Sequence, residues 1–219
     1  MNFTCADCPS KACEDHLFEK MPNEKACVTK KVDPELFKGL YDEEDLRIAN
    51  SAAKVESRGY CRWTRVEETM AFAHNMGYKK IGLGFCTGFS REAETFAKIL
   101  RANGFEVEAA CCKCGSISKE FIGIKQEQFV HPENEMEIMC NPAGQAEYLS
   151  EQGCDMNVVL GLCVGHDTLF MRHSKVPVTV LTGKDRALAH NPVGALYLAD
   201  SYLKRVYTFI EDTFGKEEE

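Results

Sequence analysis

Two stretches of this chain are copies of one another. "LGFCTGFS" (83–90) and "LGLCVGHD" (160–167) align without a gap, 77 residues apart. Leu, Gly, Cys and Gly are identical, and each copy closes on a residue type that caps helices, Ser90 or Asp167. Each also belongs to a short apolar run bounded by charge or glycine, "KKIGLGFC" (79–86) and "MNVVLGLC" (156–163). Such runs read as buried parallel strands. Further along, "CNPAG" (140–144) and "HNPVG" (190–194) share N-P-x-G, again at a helix start. The chain therefore carries two β-α-β-α units, 79–152 and 156–210, the first lengthened by an insertion after "ACCKCG" (110–115).

The rest of the pattern agrees. "FEVEAACC" (105–112) and "VPVTVLTG" (176–183) read as the second and fourth strands. Between the strands lie helical stretches: "SREAETFAKILRANG" with Ser90 as cap and Gly104 as terminator, "NPAGQAEYLSEQG" with Asn141 capping and Pro142 in first position, and "HDTLFMRHS". The segment 191–215 reads as one long closing helix. Strands alternating with helices predict an α/β protein with a doubly wound, Rossmann-like parallel sheet. Ahead of it, 33–78 is a helical lead-in, with Asp33 and Pro34 opening a helix, Thr64 and Glu67 forming a capping box, and Gly77 as a stop. Residues 1–32 form a separate cysteine-rich segment, and 79–219 the α/β domain.

In a sheet of this kind the first strand of each half is central. Ligands bind at the carboxyl ends of the strands, at the switch point between those two. Cys86 and Cys163 stand there, one from each half, both ahead of helix N-termini whose dipole favours a thiolate. Cys111, Cys112 and Cys114 end the second strand. Side chains alternate along a strand, so Cys112 or Cys114 is expected to turn into the cleft and Cys111 into the core. Cys140 precedes the Asn141 cap. Cys86, Cys112 or Cys114, Cys140 and Cys163 thus supply the donor number that an iron–sulfur cluster or a tetrahedral zinc ion needs. His166, three residues after Cys163, is the candidate acid/base or further ligand. His190 occupies the position matching Cys140, a weaker candidate. Lys184, Asp185 and Arg186 end the fourth strand and either meet an anionic ligand or form a solvated loop.

A second set lies near the N-terminus. Cys5, Cys8, Cys13 and Cys27 are spaced C-x2-C-x4-C-x13-C in a segment with little apolar core of its own, and a bound metal would give it shape. His16 is a substitute ligand there. Neither zinc-ribbon nor bacterial ferredoxin spacing matches. Cys61 and Cys154 have no close cysteine partner and read as structural.

Composition narrows the setting. Twelve cysteines in a chain of 219 residues without a basic, apolar leader point to metal or redox chemistry in a reducing cytoplasm, not to a disulfide scaffold. A net charge of −8 argues against general nucleic-acid or anionic-membrane binding. "GLGFCTG" has G-x-G-x-x-x-G spacing and no ribose-binding acid after the second strand, so a dinucleotide site is disfavoured. No C-x-x-C stands between strand and helix in thioredoxin fashion at Cys5 and Cys8, and no G-x-S-x-G is present.

The motifs "CADCPSKAC", "TRVEE", "IGLGFCTG", "CCKCG", "CNPAGQAEYL", "LGLCVGHD" and "KDRALAHNPVGALY" together resemble an uncharacterised family of predicted metal-binding proteins (domain-of-unknown-function family 1847), found largely in archaea and anaerobic bacteria. The resemblance spans nearly the whole chain, most specifically 140–197, and Cys61 departs from its pattern. It implies metal binding through cysteines and no particular reaction. The sequence thus predicts a cytoplasmic cysteine-ligated metalloprotein. An iron–sulfur protein, carrying one or two clusters of the 4Fe-4S kind, leads, with redox or reductive oxidoreductase chemistry at the cleft. A zinc-binding or thiol-based sensor without catalysis is the alternative. The expected partner is a small-molecule substrate or an electron-transfer protein.

Overall fold

A computed structural model describes residues 4–8, 13–14, 18–20 and 27–214. The chain divides into two compact units, Met1–Lys54 and Val55–Glu219. The first holds short elements. A 3-10 turn, Cys5–Asp7, is closed by a capping box in which Thr4 and Asp7 satisfy each other's groups. Helices α1 (Val28–Lys31) and α2 (Pro34–Lys38) follow, the latter started by the Asp33 carboxylate accepting from the Glu35 N–H at 2.9 Å. Helix α3 (Glu43–Gly59) runs across the division. His16 lies outside the described residues.

The second unit opens with α4 (Arg65–Met76). The predicted capping box is present, the Glu67 carboxylate accepting from the Thr64 N–H at 2.7 Å, and Gly77 ends the helix at φ +75°. The sheet is built from β1 (Lys80–Phe85), β2 (Glu106–Cys111), β3 (Met156–Leu160) and β4 (Val178–Thr182), all parallel, in the order β2-β1-β3-β4. Central β3 is buried along its whole length and central β1 in its four middle residues. Flanking helices are α5 (Ser90–Ala102), α6 (Pro142–Glu151) and α7 (His166–His173). Ile81, Leu83, Leu100, Leu149, Val158 and Phe170 anchor the core, each fully buried. This is the doubly wound α/β class that the alternation of strands and helices predicts.

The repeat glycines have a packing reason. A Cβ on Gly84 would lie 2.4 Å from the Phe170 ring, and one on Gly161 would lie 2.1 Å from the Phe89 ring. Each half thus keeps its strand-end glycine bare so that a ring from the other half can pack on it. Gly161 also has φ +63°, in the left-handed region that other residues avoid. The exposed side of edge strand β4 is tied to α4, where Arg65 Nε donates to the Val180 carbonyl at 2.9 Å.

Three local expectations change. Ser90 and Asp167 do not cap. A 3-10 turn, Thr87–Phe89, precedes α5 and puts Ser90 inside the helix, where its hydroxyl donates to the Thr87 carbonyl at 2.7 Å. The N-cap of α7 is Gly165, and the Asp167 carboxylate accepts from the Thr168 N–H. The closing segment is not one helix but α8 (Val193–Tyr197), a 3-10 turn Lys204–Tyr207 and α9 (Phe209–Phe214). Its large apolar residues, Tyr197, Tyr202, Tyr207 and Phe214 among them, are exposed. Most of a helix's stability in a protein comes from packing an apolar face, and here that face has no partner among the described residues.

Candidate thiol site at the switch point

The switch point falls where the repeat places it, between β1 and β3. Cys86 directly follows β1, and its N–H still donates to the Leu160 carbonyl of β3 at 3.2 Å. Cys163 stands just beyond β3. Cys112 directly follows β2, and the Asn141 N–H donates to its carbonyl at 2.7 Å, which brings Cys140 alongside. Buried Gln145 of α6 ties the strand ends together, its Nε2 donating to the carbonyls of Phe85 (3.1 Å) and Ala110 (2.6 Å). Four segments therefore deliver four thiols to one end of the sheet.

Of the three thiols at the end of β2, Cys112 turns inward. It is 1 % exposed, whereas Cys111 and Cys114 are half-buried. The expectation that Cys111 packs in the core is wrong by one position: the chain leaves the strand at Cys111, and the residue after it is the one that plunges beneath the cleft. Cys112 neighbours the Cys140 and Cys86 thiols. Thr87 Oγ1 is 3.9 Å from its sulfur. Cys114 instead directs its thiol at the Asn141 carbonyl, 3.7 Å away.

The electrostatics are uneven. The Cys112 thiol proton, available to Cys140, holds the Cys140 thiol down at about 6; burial opposes this, and the Lys113 ammonium assists. The same hydrogen bond, with burial, pushes Cys112 up. Cys114 is raised by burial and then by the neighbouring Cys111 and Cys112. His166 is lowered by burial and by Lys113 and Lys119, which keeps its imidazole neutral near pH 7. Cys154, read as structural, is buried, with its thiol pushed up to about 11 by that burial.

Cations complete the site, and they come from the second half. Lys184 Nζ donates to Cys86 Sγ at 2.8 Å and lies 4.9 Å from the centre of the Phe89 ring. Arg186 donates to Cys163 Sγ at 3.6 Å. In the loop after β4, half-buried Lys184 and exposed Arg186 both meet sulfur. Asp185 keeps to its own loop, accepting from the Ala187 and Leu188 N–H groups. His190 packs against Phe89 with the rings tilted by 50°, ring centres 4.3 Å apart. Lys113 and Gln145 were not legible as site residues, although Lys113 stands openly in "CCKCG".

Among the described residues, no three His, Cys, Asp or Glu side chains are placed to share a metal ion. That holds for Cys86, Cys112, Cys140 and Cys163, each turned toward a neighbour. It holds equally for Cys5, Cys8, Cys13 and Cys27, of which Cys5 and Cys13 are exposed and Cys8 and Cys27 half-buried. The thiols of Cys86, Cys111, Cys112, Cys114, Cys140 and Cys163 are unbridged. No helix among the described residues is long and apolar enough to cross a membrane.

Fold and site together define a Rossmann-like α/β protein with a thiol centre at its switch point. The chain belongs to a family described as protein of unknown function (DUF1847), whose profile matches residues 24–181. It is 43 % identical over 189 residues to the uncharacterized protein MJ0455 of Methanocaldococcus jannaschii, covering 84 % of this chain and 95 % of that one. Among solved structures, Dph2 from Pyrococcus horikoshii, crystallised with a 4Fe-4S cluster, matches at a TM-score of 0.35 and 19 % identity. That match covers 64 % of this chain and 32 % of the other, so the chain spans about a third of its length. At that score the match carries nothing about chemistry.

Proposed function

We propose that this protein is a cytoplasmic cysteine-ligated metalloprotein whose functional centre is the thiol group at the switch point, with an iron–sulfur cluster as the group best suited to it. The observation that carries this reading is the gathering of Cys86, Cys112, Cys140 and Cys163 by four separate segments at one end of the sheet. Four soft donors suit iron–sulfur clusters or zinc better than hard cations. As placed they do not meet at one point, but each cysteine reaches a new direction by rotation about a single side-chain bond. A cluster there would supply one-electron transfer. Around it, Lys113, Lys184 and Arg186 stabilise negative charge on the sulfurs. Neutral His166 is the group able to accept a proton from a small-molecule substrate. Cys5, Cys8, Cys13 and Cys27 hold a second metal.

One observation favours a second reading, a zinc or thiol module without catalysis. The Cys112 thiol lowers the Cys140 thiol without any metal beside them. Purification without oxygen separates the two. The iron–sulfur reading expects brown protein with absorbance near 400 nm and matching iron and sulfide. Colourless protein with stoichiometric zinc, or with none, overturns it.

A further inference from the structure

Strand geometry sorts the thiols of "ACCKCG" into two places, and only Cys112 joins the switch-point set. Cys111 and Cys114 lie on the other side of the chain. Both line one open cavity of about 440 Å³, together with Gly115, Asn141, Gly144 and Tyr148. Their spacing is C-x-x-C, hidden in the sequence by the cysteine between them. The Cys114 N–H donates to the Cys111 carbonyl at 3.1 Å. Such an i to i+3 reversal holds its end Cα atoms within about 7 Å, overlapping the window of roughly 4.4–6.8 Å in which a disulfide closes. Both thiols are half-buried and open to a small reagent.

We infer that Cys111 and Cys114 form a reversible disulfide, a second thiol site whose substrate is a low-molecular-weight disulfide. One thiolate of the pair attacks a sulfur of the small disulfide; the S–S bond breaks, and a small thiolate leaves and takes up a proton. The second protein thiol then attacks the mixed disulfide, closing the Cys111–Cys114 bond and releasing the second small thiol. Two protein thiols are oxidised and one small disulfide is reduced. In a reducing compartment such bonds are redox-sensing or catalytic, not structural. Closing the bridge draws the Cys114 sulfur off the Asn141 carbonyl, one of the contacts that join this turn to the start of α6.

The full chain, equilibrated with graded ratios of oxidised to reduced glutathione and quenched by alkylation, tests this. Trypsin cuts after Lys113, so the bridge joins the peptide 102–113 to 114–119. The expected result is that cross-linked pair at oxidising ratios and its loss on returning to reducing ones. The cross-link persists in Cys112→Ser and disappears in Cys111→Ser and Cys114→Ser. Fragmentation of the wild-type cross-link assigns the sulfur directly where a variant does not fold. A bridge on Cys112, or no cross-link even in oxidised glutathione alone, overturns the inference. Cys112→Ser disturbs the switch-point centre and spares this pair, so failure of one proposal is distinguishable from failure of the other.

Discussion

The two halves of this protein share a scaffold and differ in what they bring to its end. The first half closes its outer strand on thiols, Cys111, Cys112 and Cys114, and begins its second helix beside Cys140. The second half closes its outer strand on Lys184 and Arg186, and these reach the central thiols of both halves, Cys86 and Cys163. Duplication supplied two equivalent strand ends. Divergence made one a source of sulfur and the other a source of positive charge. A thiolate centre needs both, because sulfur anions gathered in a partly buried cleft repel one another unless cations stand against them.

The comparison breaks first at the central cysteines. Cys86→Ser and Cys163→Ser should each abolish metal at the switch point while metal at the N-terminal cysteines stays, measured by metal analysis of protein purified without oxygen. Unchanged metal in both variants would mean that the halves do not share a centre.

The glycines of the repeat come next. Gly161→Ala meets the Phe89 ring and a positive φ together, so overpacking of about 1–3 kcal/mol adds to roughly 1–2 kcal/mol of backbone strain. Gly84→Ala meets only the Phe170 ring and should cost about 1–3 kcal/mol. Denaturant unfolding should therefore rank Gly161→Ala as the more damaging. Equal midpoints would remove the asymmetry between the halves.

A smaller effect concerns the thiol pair of the first half. In metal-free protein, alkylation of Cys140 should rise with pH through about 6. In Cys112→Ala the thiol loses its strongest stabilising hydrogen bond, its pKa rises toward the ordinary thiol value of about 8.5, and alkylation near neutral pH slows by roughly tenfold or more. The linkage has a definite sign. Between about pH 6 and the ordinary thiol value, the native state has released a proton that the unfolded chain retains, so Cys140 adds stability as pH rises. Cys154 acts oppositely: its raised thiol contributes stability below the ordinary value, lost as pH climbs toward about 11.

The smallest effect is expected from the cations. With a cluster bound, Lys184→Met should lower its reduction potential more than Arg186→Met, because Lys184 stands nearer its sulfur, 2.8 Å against 3.6 Å. A dye-coupled titration measures both. A larger shift for Arg186→Met would reverse the order of importance.

Much of this was legible in the chain. The repeated "LGxCxG" marked the two central strands, and the order β2-β1-β3-β4 follows from placing them side by side. Capping at Asp33, Thr64 and Asn141 was readable because a cap is a contact between residues two or three positions apart. The closing segment misled because its helical periodicity is real, yet no packed face supports one continuous helix.

By itself, then, the sequence determined the class of fold and the switch point, since both depend on local pattern and on the repeat. The tertiary structure decided which of three adjacent cysteines turns inward, and that Lys184 reaches back 98 residues to Cys86. It also decided that each repeat glycine seats a ring from the opposite half. These are contacts between segments distant in the chain, and no periodicity along one segment encodes where another will lie.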